Sequence, residues 1–310
     1  MSATVFRPVA VLAATSAALV LAASAGCSAG SPTDQPASGS HTTTRHPARQ
    51  LPPVEAETGV VHVHGLGVDP ADGVLYAATH TGLFRIVGQG PAERVANRAQ
   101  DTMGFSVVGP GRFIGSGHPD FREDDVRPPL LGLVESDDAG ETWERLSLHG
   151  QADFHALAAA HGLVYGYDST SGTFMVTADR AEWDRRSRLP MRDFAVDPAD
   201  PDGIVATTEQ GPVASSDGGR TWAPLPGAPP LVVLVWTARA GLYGVAVDGS
   251  VHRSGDSGRT WIRMGNAGGP PEAVAVDVRG GAVSLYVAVE GKGMVASGDG
   301  GRTFAVRYAE

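Results

Sequence analysis

The sequence predicts an all-β protein, a six-bladed β-propeller, on three observations. An octet of pattern S-x-D-x-G-x-T-W/F occurs four times without gaps, at Ser136 to Trp143, Ser215 to Trp222, Ser254 to Trp261 and Ser297 to Phe304. A degraded copy runs from Thr177 to Trp183, and the closing aromatics at 143, 183, 222, 261 and 304 recur about every forty residues, the length of a four-stranded blade. The composition combines 41 glycines and 22 prolines with 42% hydrophobic residues. That mixture belongs to many short strands and tight turns around a core, not to a disordered chain.

The first 27 residues read as an export signal. Arg7 supplies the positive charge, and Val9 to Ala23 is an alanine-rich apolar stretch too short to span a bilayer comfortably. It ends in Ser24-Ala25-Gly26-Cys27, and Cys27 is the only cysteine. Small residues before one cysteine at that place resemble the lipobox of bacterial lipoproteins, although the usual leucine three places earlier is Ser24 here. The resemblance implies a lipid on Cys27 and an anchor on the extracytoplasmic side of the cell membrane, with no transmembrane helix. Residues 28–57 are Ser, Thr, Pro, Gly and charged residues without apolar periodicity, a disordered tether, and residues 58–310 are assigned to the propeller.

The octet has a physical logic. Serine and aspartate side chains bond to nearby backbone N–H groups and define a tight turn. Glycine takes the positive-φ position. The Thr-aromatic pair re-enters a strand, with the ring between neighbouring sheets. These octets are identified as Asp-box (BNR) repeats of the sialidase-like propellers, over about residues 60 to 310. The resemblance implies that each sits between the third and fourth strands, C and D, of its blade.

With the octets as anchors, the blades are residues 60–98, 101–149, 152–189, 191–227, 229–265 and 270–310. The innermost A strands are expected to include Val63 to Val68, Phe105 to Val108, Phe154 to Ala159, Phe194 to Val196, Leu231 to Val235 and Ala273 to Val276. Turn-forming residues such as Asp69-Pro70-Ala71-Asp72-Gly73 lead from each into a B strand. A seventh blade would need Val54 to Gly59 to join a further strand; six is the simpler division.

In such a blade the start of A and the end of B share one face of the disc, and the C–D turn lies on the other. Asp138, Asp217, Asp256 and Asp299 are then turn builders, remote from the channel mouth. On the opposite face, the residues closing the B strands are expected to be His80, His118, Asp168, Glu209, Asp248 and Glu290, in blade order. At or before the A-strand starts stand His62, His64, Met103, His155 and Asp193. Strand alternation would put His62 and His64 on one side. Histidine with methionine and carboxylate suits copper or zinc. The candidate metal set is therefore His62, His64, His80, Met103, His118 and His155, and the candidate ligand-binding carboxylates are Asp168, Asp193, Glu209, Asp248 and Glu290. A charged, proline-rich insertion from Gly117 to Pro129 belongs to the same face.

A formal net charge of −10 without a basic stripe argues against a nucleic-acid partner. The family resemblance implies glycoside hydrolysis, but fold alone does not carry an activity. Sialidases clamp their substrate with three arginines, the first in a Phe-Arg-Ile-Pro motif, and use a tyrosine nucleophile supported by glutamate. Phe84-Arg85-Ile86-Val87 matches in part, yet it enters a C strand, away from the channel. The mouth offers Arg122, Arg127 and Arg192, with Tyr167 the nearest candidate nucleophile. The expected function is an extracytoplasmic, membrane-anchored propeller that binds a small ligand or a metal ion at its mouth. The alternatives are a sialidase-like glycoside hydrolase, whose general chemistry needs two opposed carboxylates, and a protein-binding scaffold or assembly factor.

Overall fold

The computed structural model describes residues 59–88, 90–120, 122 and 129–309. The export signal, Cys27, the tether and most of the insertion after His118 lie outside the described residues. Among those described, twenty-four strands, β1 to β24 in chain order, form six four-stranded sheets, each built from four consecutive strands. This is a six-bladed β-propeller. No helix among the described residues is long and apolar enough to cross a membrane.

The innermost strands are β1 (Val63–Val68), β5 (Asp101–Gly109), β9 (Phe154–Ala160), β13 (Asp193–Val196), β17 (Leu231–Thr237) and β21 (Pro271–Arg279). They surround a central channel of about 630 Å³. Strands in the middle of a blade are covered on both faces, because each blade stacks on two neighbours. Leu75–Thr79 (β2) and Thr173–Thr177 (β11) are accordingly buried at every position. The outermost strands face solvent and carry charge, as in Asp184–Arg188 (β12). Ring closure is apolar: Val63, Leu66 and Leu75 of the first blade share a core with Ala273, Ala288 and Met294 of the sixth.

All four octets fall between third and fourth strands and adopt one hydrogen-bond pattern. The serine hydroxyls of Ser136, Ser215, Ser254 and Ser297 accept from the backbone N–H of Gly140, Gly219, Gly258 and Gly301 at 2.8–2.9 Å. Each hydroxyl donates to the aspartate two residues on, at 2.7–2.9 Å. The same carboxylates then accept both the backbone N–H and the hydroxyl of the threonine. In the degraded copy Thr177 takes the place of serine, and Asp179 collects the N–H groups of Ala181 and Glu182. The closing aromatics reach back to the preceding blade: Trp183 donates to Ser147, and Trp222 donates to Ser187 while packing edge-on against Phe174.

These bonds depress the octet carboxylates. The Thr260 hydroxyl and N–H, with Ser254, hold Asp256 at about 2, and Asp217 and Asp299 lie well below the ordinary carboxylate range for the same reasons. A group depressed in the folded state stabilises the fold above its unfolded pKa, near 3.8, and that contribution disappears as pH falls towards 2. We therefore expect the thermal midpoint to drop steeply between pH 4 and pH 2, with a shallower fall in the Asp256→Asn chain. Parallel profiles for the two chains would refute this account of the turns.

Candidate functional site

The mouth of the channel is built by a recurring irregularity. In β1 the pairs Val63↔Thr79 and Gly65↔Ala78 leave His64 as an extra residue. The same one-residue shift leaves out Met103 in β5, His155 in β9, Val232 in β17 and Glu272 in β21. Such bulges re-aim a side chain at the end of a ladder. Here His64, Met103, His155 and Glu272 all line the channel. In β13 the pairing is regular, and Asp193, its first residue, lines the channel as well. His62, just ahead of β1, has a φ of +52°. Non-glycine residues seldom take that left-handed region, though histidine does so more readily than most. His62 and His64 therefore meet through a left-handed residue and a bulge, not through strand alternation.

Three imidazoles converge from the first blade. One ring nitrogen from each of His62, His64 and His80 lies within 4.8 Å of the other two. His62 stacks on His80 at 5.1 Å, and His64 stands edge-on to both. Asp101, the first residue of β5, brings a carboxylate from the second blade. Its Oδ1 lies 2.9 Å from His80 Nδ1 and 3.6 Å from His64 Nε2, and those nitrogens are 3.2 Å apart. Glu272 supports the group from the sixth blade, accepting from the Val63 N–H at 3.1 Å and lying 3.0 Å from His62 Nδ1.

Asp101 also faces a second set. Its Oδ2 is 3.2 Å from His118 Nδ1, on the residue directly opposite it in the β5–β6 ladder (β6, Arg112–His118). The other nitrogen of His118 lies 3.8 Å from Asp153 Oδ2, which is 3.0 Å from His155 Nε2. The six-residue metal set expected from sequence is thus divided. His62, His64 and His80 form one group, His118 and His155 join it only through Asp101 and Asp153, and Met103 lines the channel.

The electrostatics fit cation binding. Burial by itself would raise Asp101, but hydrogen bonds from His64, His80 and His118 outweigh it and hold the carboxyl at about 2. It is ionised at neutral pH. Burial lowers the pKa of His64 against the pull of Asp101, so this imidazole stays neutral with a lone pair to give.

The carboxylates expected to line the mouth separate into three kinds. Asp168 closes β10 (Leu163–Asp168) but is buried as a turn brace, accepting from the N–H groups of Asp153 and Thr170 and from the Ser171 hydroxyl. Asp193 faces the channel and accepts from the N–H groups of Phe194 and Leu234; burial nonetheless lifts it to about 6. Glu209, Asp248 and Glu290 are exposed and lie outside the channel lining. Their B strands end at Thr208, Ala246 and Val289, so all three sit in the B–C turns. His80 is likewise one residue past β2.

Sequence reasoning missed Asp101, Asp153 and Glu272. Strand β5 starts four residues before the expected Phe105, which is why Asp101 was overlooked; its register opposite His118 is the signal that would have found it. A sialidase arginine clamp is not assembled among the described residues. Arg85 pairs with Glu93 on an outer strand, Arg122 holds Asp120, Arg127 lies outside the described residues, and Arg192 alone of the arginines lines the channel. Tyr167 is buried.

No protein-family model matches the chain, and no curated protein matches its sequence. Solved structures do match in fold. The GH74 xyloglucanase from Xanthomonas campestris aligns over 80% of this chain and 45% of its own, at 18% identity and a TM-score of 0.52. The GH74 enzyme of Niastella koreensis aligns over 74% of this chain and 36% of its own, at 13% identity and a TM-score of 0.50. A chain of a nidogen/laminin complex aligns over 75% of this chain and 92% of its own, at 13% identity and a TM-score of 0.56. The chain therefore spans less than half of either GH74 enzyme, and the likeness to all three is one of β-propeller fold.

Proposed function

We propose that this protein is a membrane-tethered, extracytoplasmic propeller that binds a divalent transition-metal ion, zinc or copper, at its channel mouth. His64 Nε2, His80 Nδ1 and Asp101 Oδ1 are the ligands, and His62 closes the site. The observation that carries this reading is the triangle of donor atoms, with edges of 2.9, 3.2 and 3.6 Å. Ligands bound at 2.0–2.1 Å around a tetrahedral ion sit about 3.3 Å apart. Two ring nitrogens 3.2 Å apart also need something positive between them, a proton or a cation, since two lone pairs repel. Glu272 on His62 Nδ1 repeats the carboxylate–histidine arrangement that orients imidazole ligands and leaves Nε2 for the ion. Imidazole and carboxylate without thiolate favour zinc or copper over magnesium or calcium. The tether and lipid anchor rest on the Cys27 motif and the composition after it.

A glycoside hydrolase would draw on the same channel, where Asp193 and Glu272 are the acidic residues of the lining. Both are committed elsewhere: Asp193 to two backbone N–H groups, Glu272 to Val63 and His62. The metal reading uses what the mouth leaves available. The full-length chain, purified in detergent and stripped with chelator, is expected to take up Zn²⁺ at this site, and the His64→Ala/His80→Ala chain to lose that ion. Unchanged zinc content in the double variant would overturn the reading.

A further inference from the structure

The donors that the first ion does not use form a group of their own. His155 Nε2 stands 3.0 Å from Asp153 Oδ2, and His118 Nε2 stands 3.8 Å from the same oxygen. These two spacings bracket the roughly 3.3 Å between neighbouring ligands of a tetrahedral ion. The carboxylate is unusual. The Asp153 side chain is more than nine-tenths buried, and its Oδ1 has no hydrogen-bond partner at all. A buried carboxylate oxygen with no partner is rare, and the other oxygen of the same group faces two imidazoles. Its backbone, in contrast, is fixed: the N–H donates to Asp168, and the carbonyl accepts from Ser169. The structure holds this carboxylate in place and leaves its Oδ1 without a partner.

We propose a second divalent-cation subsite, formed by His118 Nε2, Asp153 and His155 Nε2, and joined to the first through Asp101. His118 has its Nδ1 on Asp101 Oδ2 at 3.2 Å, which fixes the tautomer that presents Nε2 towards Asp153. Asp101 thus ligates one ion through Oδ1 and orients a ligand of the other through Oδ2. The two subsites draw on three blades: the first on blade one and Asp101 of blade two, the second on His118 of blade two and on Asp153 and His155 at the entry to blade three. The ligand class is again a divalent ion of zinc or copper type, since the donors are two imidazoles and a carboxylate.

The test is zinc stoichiometry of the full-length chain, titrated with Zn²⁺ after chelator treatment. The unmodified chain should bind two equivalents. His155→Ala should bind one, and so should His64→Ala/His80→Ala, while the triple variant should bind none. A single equivalent in the unmodified chain, unchanged in His155→Ala and lost in His64→Ala/His80→Ala, overturns the second subsite and leaves the first standing. Two equivalents that both survive His155→Ala overturn it too, and no zinc in any chain overturns both. His155 is partly exposed, so its removal should leave near-ultraviolet circular dichroism unchanged. If that signal is lost, His118→Gln puts the same question with a side chain closer in shape, and retention of two equivalents there overturns the proposal.

Discussion

An Asp101→Ala chain should hold Zn²⁺ roughly 100-fold more weakly than the unmodified chain at neutral pH, and should keep its fold. Loss of a partner that only orients a ligand costs about 10–100-fold in metal affinity. Asp101 does this for His118 and also supplies an oxygen of its own, so the upper end is the relevant figure. Its charge matters as much as its geometry. Held at about 2 by hydrogen bonds from His64, His80 and His118 that outweigh its burial, it is ionised at neutral pH. Without it, the nitrogens of His64 and His80 face each other at 3.2 Å with no carboxylate between them. Affinity measured by competition with a chelator decides the matter. Glu272→Gln offers the internal comparison, because among the described residues the polar contacts of Glu272 are with His62 and the Val63 N–H; its loss should cost about 10-fold, the lower end of the same range. Equal losses for the two variants would mean that Asp101 is a structural brace and not a ligand.

How much of this was legible in the sequence divides along a physical line. The octets are local: serine, aspartate, glycine and threonine bond within eight residues, so pattern and structure coincide, and the blade count follows from their spacing. The histidines were also visible, because imidazoles at the start of A strands and around the ends of B strands have few other reasons to recur in consecutive blades. What binds them was not. Asp101, Asp153 and Glu272 act across blades, and their roles depend on where each inner strand begins and on a one-residue bulge that no local pattern announces. The same limit explains Glu209, Asp248 and Glu290. Each stands one or two residues past the end of its B strand, in the turn and not in the ladder.

Gly219→Ala should cost about 3 kcal/mol of stability, whereas Gly301→Ala should cost about 1 kcal/mol. Both glycines hold the fifth octet position with positive φ, 86° and 91°. Both therefore meet the left-handed penalty of roughly 1–2 kcal/mol that a Cβ carries there. They differ in what the new carbon would touch. At Gly219 it would lie 2.3 Å from the ring of Phe174, which is fully buried in the core of the preceding blade and wedged between Phe194 and Trp222. That ring cannot retreat, and overpacking of a well-filled core adds roughly 1–3 kcal/mol. At Gly301 the nearest atom is a methyl of Val251 at 3.2 Å, which a shift of a few tenths of an ångström accommodates. For a domain of this size the difference corresponds to a gap of roughly 4–8 °C between the two variants' unfolding midpoints. Midpoints lowered equally would mean that the octet glycine is required for its backbone angle alone. A clear gap would show that it also lets each turn lie flush on the blade before it, the contact through which successive blades of the ring are locked together.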